Sequence, residues 1–226
     1  MDDFILKIIP NVIGKRAELL KSLIQTMQML AITGSISFCI GIVLAFVIVV
    51  TRKGDILENI FIWTILDKVI NFFRSIPFII LIALIIPVTR ALVGTAIGVR
   101  GAIVPLVFGT IPFFIRQMEN ALSEIDRGAI EAALSMGTSP VGIIFRVYLK
   151  ESVPGIIRGV TITLISMIGL IAMAGAVGGG GLGDFAIRYG YNRYQTDITI
   201  VTVLILIAIV TVIQTLGNII SKKMVH

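Results

Sequence analysis

Histidine is almost missing from this chain; the single one, His226, is the last residue. Histidine-based catalysis and histidine-based metal binding are therefore excluded. Cysteine occurs once, as Cys39 inside an apolar run. That excludes an internal disulfide and a thiolate metal site. Charge is scarce: 14% of the residues are charged, against roughly 25% in a soluble domain. The phosphate-cradling pattern G-x-x-x-x-G-K-[ST] occurs nowhere, so the chain has no ATP hydrolysis of that kind. H-E-x-x-H and G-x-S-x-G are absent too. Asp67 has no second membrane carboxylate with which to form an acid–base dyad. No basic patch interleaved with aromatics points to nucleic acid.

What is present is oil. Hydrophobic residues make up 57% of the chain, and with so little charge this places it in a membrane. A spanning helix needs about 20 mostly apolar residues. Five stretches qualify: 22–50, 69–88, 101–118, 159–183 and 198–221. The first, fourth and fifth hold no charged residue, apart from the positively charged flanks that close the last. The apolar stretch 57–88 carries Asp67, Lys68 and Arg74 and is too long for one straight span, so its first part is expected to ride the interface and the span itself, 69–88, to be bent by Pro77. The third is expected to be broken by Pro105 and Pro112, and 90–100 to form a turn or a short re-entrant piece. Continuous apolar runs exclude a β-barrel, whose strands alternate. The fold expected is all-α, a polytopic bundle of five transmembrane helices in one membrane domain.

Residues 1–21 read as an interfacial segment of the mature chain, since Asp2 and Asp3 come first and Pro10 breaks the run. Residues 222–226 read as a short tail. An odd number of spans puts the termini on opposite sides. Charge hardly says which. One side holds Arg52, Lys53, Arg116, Arg127, Arg146, Lys150, Arg158, Lys222 and Lys223. The other holds Lys7, Lys15, Arg16, Lys21, Arg90, Arg100, Arg188 and Arg193. Nine against eight leaves the positive-inside rule nearly silent.

The longest polar segment, 119–154, includes GAIEAALSMGTSPVGIIFRVYLKESVPG (128–155). Leu122, Ile125, Ala129, Ala133 and Met136 recur at helical spacing. Gly137 stands where a helix ends. Ser139 suits an N-cap and Pro140 the first helical position. Val141, Ile144, Phe145 and Tyr148 give the second helix an apolar side. The expectation is helix, corner, helix: a compact knob. An amphipathic hairpin lying on the membrane accounts for the same pattern.

Glu131-Ala132-Ala133, then Gly137, then Val147-x-Leu149 resemble the EAA loop of bacterial ABC importer permeases. The usual ending is Ile-x-Leu-Pro; Val147 and Lys150 depart from it. FFRSIPFIILIALIIP (72–87), AIVPLVFGTIPF (102–113) and AMAGAVGGGGLGDFAIRYGY (172–191) are similar to the methionine-type branch, so the likeness runs from about Ser22 to the end. The resemblance implies an ABC type-1 transmembrane domain over 22–221 and a multi-pass location in the bacterial inner membrane. It implies a homodimer, two cytoplasmic ATP-binding subunits and an extracytoplasmic methionine-binding protein. It implies methionine import by alternating access, no cofactor on this chain, and ATP with Mg on the partner ATPase. Coupling to that ATPase would fall to Glu131, Ala132, Ala133, Gly137, Ser139 and Pro140. A non-transporting scaffold or sensor whose loop docks a soluble partner is the alternative.

Residues 178–183 match G-x-G-x-x-G literally, but they come after a membrane span rather than a strand, so no nucleotide site is expected. Gly178, Gly179, Gly180 and Gly181 are instead a helix exit or a hinge at the outer mouth. In the fourth span, small residues suit close helix packing. The resemblance implies that this span lines the translocation path, with Ser166, Leu170 and Met173 as the candidates for its lining, where a thioether would suit a Met- and Leu-lined passage.

Overall fold

The computed structural model describes residues 9–224. Those described residues form helices joined by turns and short connections. Four helices are long and apolar enough to cross a membrane. They are α2 (Arg16–Val50), α6 (Gly98–Ser123), α9 (Val153–Ala174, carried on by a wide turn at Gly175–Gly179) and α11 (Thr196–Met224). The expected spans 22–50, 101–118 and 198–221 lie inside α2, α6 and α11. The fourth begins earlier than expected, because Pro154 is tolerated in the first turn of a helix. Of the expected terminal segments, residues 1–8 and 225–226 lie outside the described residues. The N-terminal segment contributes the short helix α1 (Pro10–Gly14).

The expected span 69–88 is not one helix. It is divided among α3 (Ile60–Ser75), α4 (Phe78–Leu84) and α5 (Ile86–Val93). A residue before proline is steered out of the helical region, so α3 stops short of Pro77, whose own backbone is extended at φ −55°, ψ 133°. Pro87 opens α5, as a residue without an N–H can. Conversely, Pro105 and Pro112 do not break the third span, and α6 runs through both. A membrane helix keeps its course past proline where neighbouring helices re-satisfy the freed carbonyls. Of the expected turn 90–100 only 94–97 is non-helical: α5 runs on to Val93, Gly94 follows at φ +77°, and α6 starts at Gly98. On α3, Phe61, Ile65, Val69 and Phe72 are exposed at helical spacing while Ile70 is buried. Cys39 is exposed on α2.

The chain packs as two compact units. Among the described residues, one comprises those up to 35 together with 76–109 and 164–213; the other comprises 36–75, 110–163 and those from 214 on. In the first, Val12, Phe185 and Ile198 form a small core with Leu19, Tyr189 and Val201 against it. The Asn11 backbone N–H and side-chain amide donate to the two Asp197 oxygens at 2.9 and 3.0 Å, tying α1 to the start of α11. In the second, Ala45, Ile48 and Val49 of α2 meet Phe114, Ile115, Met118 and Leu122 of α6. Two glycines there allow close helix approach: a Cβ at Gly41 would meet the Phe114 ring at 2.4 Å, and one at Gly217 would meet Thr161 Oγ1 at 2.1 Å.

Candidate functional site

The polar segment between α6 and α9 lies wholly in the second unit, and it is a folded knob. α6 ends at Ser123 and a new helix, α7, runs Arg127–Ser135. The periodicity from Leu122 to Met136 therefore spans two helices. The break is set by Asp126, whose carboxylate accepts the Gly128 N–H at 3.0 Å as an N-cap. That cap is a local signal which the periodicity hid.

The corner forms where the sequence puts it. Gly137 adopts φ +75°. Its N–H donates to the Leu134 carbonyl at 2.9 Å, and the Thr138 N–H donates to the Ala133 carbonyl at 3.1 Å. These are the two bonds of a Schellman ending, which needs a residue at ease in the left-handed region. Ser139 then accepts the Gly142 N–H at 3.2 Å and Pro140 opens α8 (Pro140–Ile143). The helix continues through a wide turn at Ile144–Tyr148 to Leu149–Glu151.

The second helix shows a different face from the one expected. Ile143 and Tyr148 are buried, whereas Val141 and Phe145 are 61% and 63% exposed. A π turn bonds i to i+5, so residues five apart, not four, line up on the inner side. On α7, Ala133 is buried, and Glu131 and Ala132 face out. Leu134 and Met136 are exposed as well, Met136 at 78%. The outside of the corner therefore carries an acid, a slim alanine and four large apolar side chains.

Tyr148 anchors the knob. Its hydroxyl lies 2.8 and 2.9 Å from the two oxygens of Asp55, in the connection after α2. Burial pushes the Tyr148 hydroxyl well above the usual tyrosine range, and the Asp55 carboxylate adds to this. Asp55 also accepts the Ile56 N–H at 2.8 Å, so its position is fixed from its own loop. A cleft of about 320 Å³ opens beside the pair, with Arg52, Arg127 and Glu131 on its walls. No sequence pattern links positions 55 and 148.

A second polar cluster was also hidden from sequence. Arg116 of α6 pairs with Asp67 of α3 and with Glu119 on its own helix. Asn71 completes it, accepting from Arg116 at 3.1 Å and donating to Asp67 at 3.0 Å. Asp67 is thus half-buried and ion-paired. Arg74 is exposed in the last turn of α3, where the helix dipole favours a cation. Lys150 is exposed as well.

The remaining candidates lie in the first unit. Ser166 and Leu170 are half-buried and Met173 is exposed, with the open Gly169 among them on α9. Met167 is fully buried. Gly178, Gly180 and Gly181 sit at φ +93°, +81° and +77°. Thr26 and Gln25 of α2 accept the N–H groups of Leu182 and Gly181 at 2.9 and 3.0 Å, at the start of α10 (Gly181–Phe185). A Cβ on Gly181 would fall 2.8 Å from Thr26 Oγ1. Close approach therefore demands glycine there, while a Cβ on Gly178 would meet only Ile97 Cγ2, at 4.0 Å.

Against known proteins, residues 37–226 match the family profile described as "Binding-protein-dependent transport system inner membrane component". The chain is 48% identical over 202 residues to the "Probable D-methionine transport system permease protein MetI" of Vibrio cholerae, covering 89% of this chain and 90% of that one. It is 45% identical over 172 residues to the "Methionine import system permease protein MetP" of Bacillus subtilis, covering 76% and 78%. Among solved structures, a chain of the MetNI methionine ABC transporter in an inward-facing conformation matches with a TM-score of 0.92 at 40% identity, over 94% of this chain and 99% of that one.

Proposed function

The chain belongs to the family of inner-membrane components of binding-protein-dependent transport systems, and from that premise we propose that it is the permease subunit of an ATP-driven methionine importer. It is a multi-pass inner-membrane protein. Two copies form the gate, two separate ATP-binding subunits supply the energy with ATP and Mg, and an extracytoplasmic binding protein delivers the amino acid. α4 and α5 together complete a fifth crossing beside the four long helices.

The observation that carries the coupling role is the knob's construction. Work done by a separate motor reaches a membrane body only through a rigid contact. Here α7 and α8 are capped at Asp126, Gly137 and Ser139, and Tyr148 locks them to Asp55. Glu131 and Ala132, with exposed Leu134, Met136, Val141 and Phe145 around the corner, present the surface to the ATPase; Ala133 packs inward, and Gly137, Ser139 and Pro140 hold the corner. When the ATPase pair closes, the knob moves as one piece and carries α6 and α9 with it. Ser166, Leu170 and Met173 line the path of the thioether, and Gly178 serves as the pivot of the tract Gly178–Gly181. The names of the methionine permeases at 48% and 45% identity support the substrate.

Two measurements test this. Uptake of labelled methionine in a strain deleted for its own importer is restored by this chain together with its ATPase and binding protein; failure of uptake for every methionine enantiomer overturns the substrate. The ATPase subunit is lost on co-purification when Glu131 and Gly137 are both replaced by Trp; its retention overturns the docking surface.

A further inference from the structure

One cluster in the first unit takes no part in the coupling knob, the pathway or the glycine tract. Tyr189 lies between α10 and α11, and three cations converge on its ring. Lys15 Nζ is 5.1 Å from the ring centroid, Arg188 Cζ 4.7 Å and Arg193 Cζ 4.9 Å. Each such contact is weak where water reaches it, and the three positive charges repel one another.

The carboxylates on neighbouring elements do not balance them. Asp184 pairs with Arg188 at 3.1 Å. Asp197 is occupied by Asn11. Glu18 is exposed and makes no ion pair with them. Lys15 and Arg193 thus have no carboxylate partner among the described residues. Beside them Tyr191 and Tyr194 are exposed, Tyr194 at 92% and with a left-handed backbone, φ +58°. Exposed Tyr and Arg side chains held in fixed positions are what protein–protein hot spots are made of.

The location adds to this. Lys15, Arg188 and Arg193 all belong to the set of basic residues that the order of spans assigns to the side of the membrane opposite the coupling segment. The non-cytoplasmic side of a membrane protein is normally depleted of Lys and Arg, so a concentrated cationic site there needs a purpose other than topology.

We infer that the Lys15, Arg188 and Arg193 cluster around Tyr189 is the seat for a carboxylate-rich surface of the extracytoplasmic binding protein. The inference rests on the importer reading and names where that partner lands. Three cations fixed on one ring form a preorganised anchor. Their long-range attraction speeds encounter, and the interaction weakens as salt screens it.

The test uses the complete transporter, permease with its ATPase, in nanodiscs, and the purified methionine-binding protein of the same cell as the probe. Association is measured between about 50 and 300 mM salt, a range over which screening changes strongly, for the wild type, for Lys15→Glu with Arg193→Glu, and for the milder Arg193→Gln, which alters one exposed side chain and leaves the fold alone. The charge-reversed complex is expected to bind at least about tenfold more weakly at the low-salt end and to lose most of the salt dependence. Arg193→Gln is expected to show a smaller loss in the same direction. A lysine placed on the binding protein's acidic surface weakens the wild type, and a charge-reversed pair restores binding. If the wild-type complex binds no such protein, the importer reading itself falls. If the wild type binds and both variants bind equally with unchanged salt dependence, only the docking site falls. If the loss appears in anionic-lipid nanodiscs and vanishes in zwitterionic ones, the cluster is a lipid site and the inference is overturned.

Discussion

Replacing Tyr148 with Phe removes one oxygen from the knob and leaves its shape alone. The ring is 2% exposed, and Phe fills the same space, so no cavity forms. What is lost is the hydroxyl that lies 2.8 and 2.9 Å from the Asp55 carboxylate. A hydrogen bond to a charged group contributes about 1.5–3 kcal/mol. The lower end applies, because Asp55 keeps the Ile56 N–H and borders a cleft open to water. About 1.4 kcal/mol is a factor of ten in an equilibrium, so the undocked knob becomes about tenfold more populated. Hydrogen exchange on the complete transporter should show residues 140–151 opening roughly tenfold more often in Y148F. In proteoliposomes, the ATP consumed per methionine delivered should rise, since a loose knob absorbs part of each stroke. If exchange over 140–151 and the ATP-to-methionine ratio both match the wild type, Tyr148 does not anchor the knob and the coupling role fails.

Other consequences stem from the same geometry. Tyr148 keeps its proton in the folded state, so its contribution to stability is complete below the unfolded tyrosine pKa of about 10 and is lost as pH rises toward the higher folded value. The difference in tyrosine absorbance between wild type and Y148F should therefore ionise above a pH of about 10, and a difference centred at or below that point would contradict the burial of the hydroxyl. Gly137→Val forces a branched side chain into φ +75° at a cost of about 1–2 kcal/mol; coupled transport should fall while Gly137→Asn keeps most of it, and equal activity of the two refutes the corner. Gly217→Ala crowds Thr161 and should cost about 1–3 kcal/mol by overpacking, read as a lower Tm in detergent and only partly recovered in the double variant with Thr161→Ala, whose Cβ remains 2.9 Å from the new one. Arg116→Met leaves Asp67 and Glu119 uncompensated; with the cluster partly exposed the loss is on the order of 2 kcal/mol, measured as thermal stability, and an unchanged Tm would show the cluster to be dispensable.

The parts of this protein legible in its sequence are those with local chemistry. Length and lack of charge gave the helices. Gly137, Ser139 and Pro140 gave the corner, because a left-handed residue, a cap and a fixed φ act within a few positions. Proline was harder to read. Pro77 and Pro87 divide the second apolar run, yet Pro105 and Pro112 leave α6 unbroken, because neighbours and not the residue itself decide whether a membrane helix recovers. The π turn at Ile144–Tyr148 shifted the buried face by one position, which a 3.6-residue period cannot anticipate. Asp126 carried a readable capping signal, overridden by the stronger apolar repeat. The pairs Tyr148–Asp55 and Arg116–Asp67 join distant segments, and nothing in the neighbouring residues announces them.

Cys39 lies exposed on α2 and is the only thiol in the chain. A thiol-reactive spin label or dye therefore attaches at one defined point per subunit without any cysteine first being removed. In an assembly of two copies, the labels report a single distance, read in a membrane on the unaltered sequence as nucleotide and methionine are added.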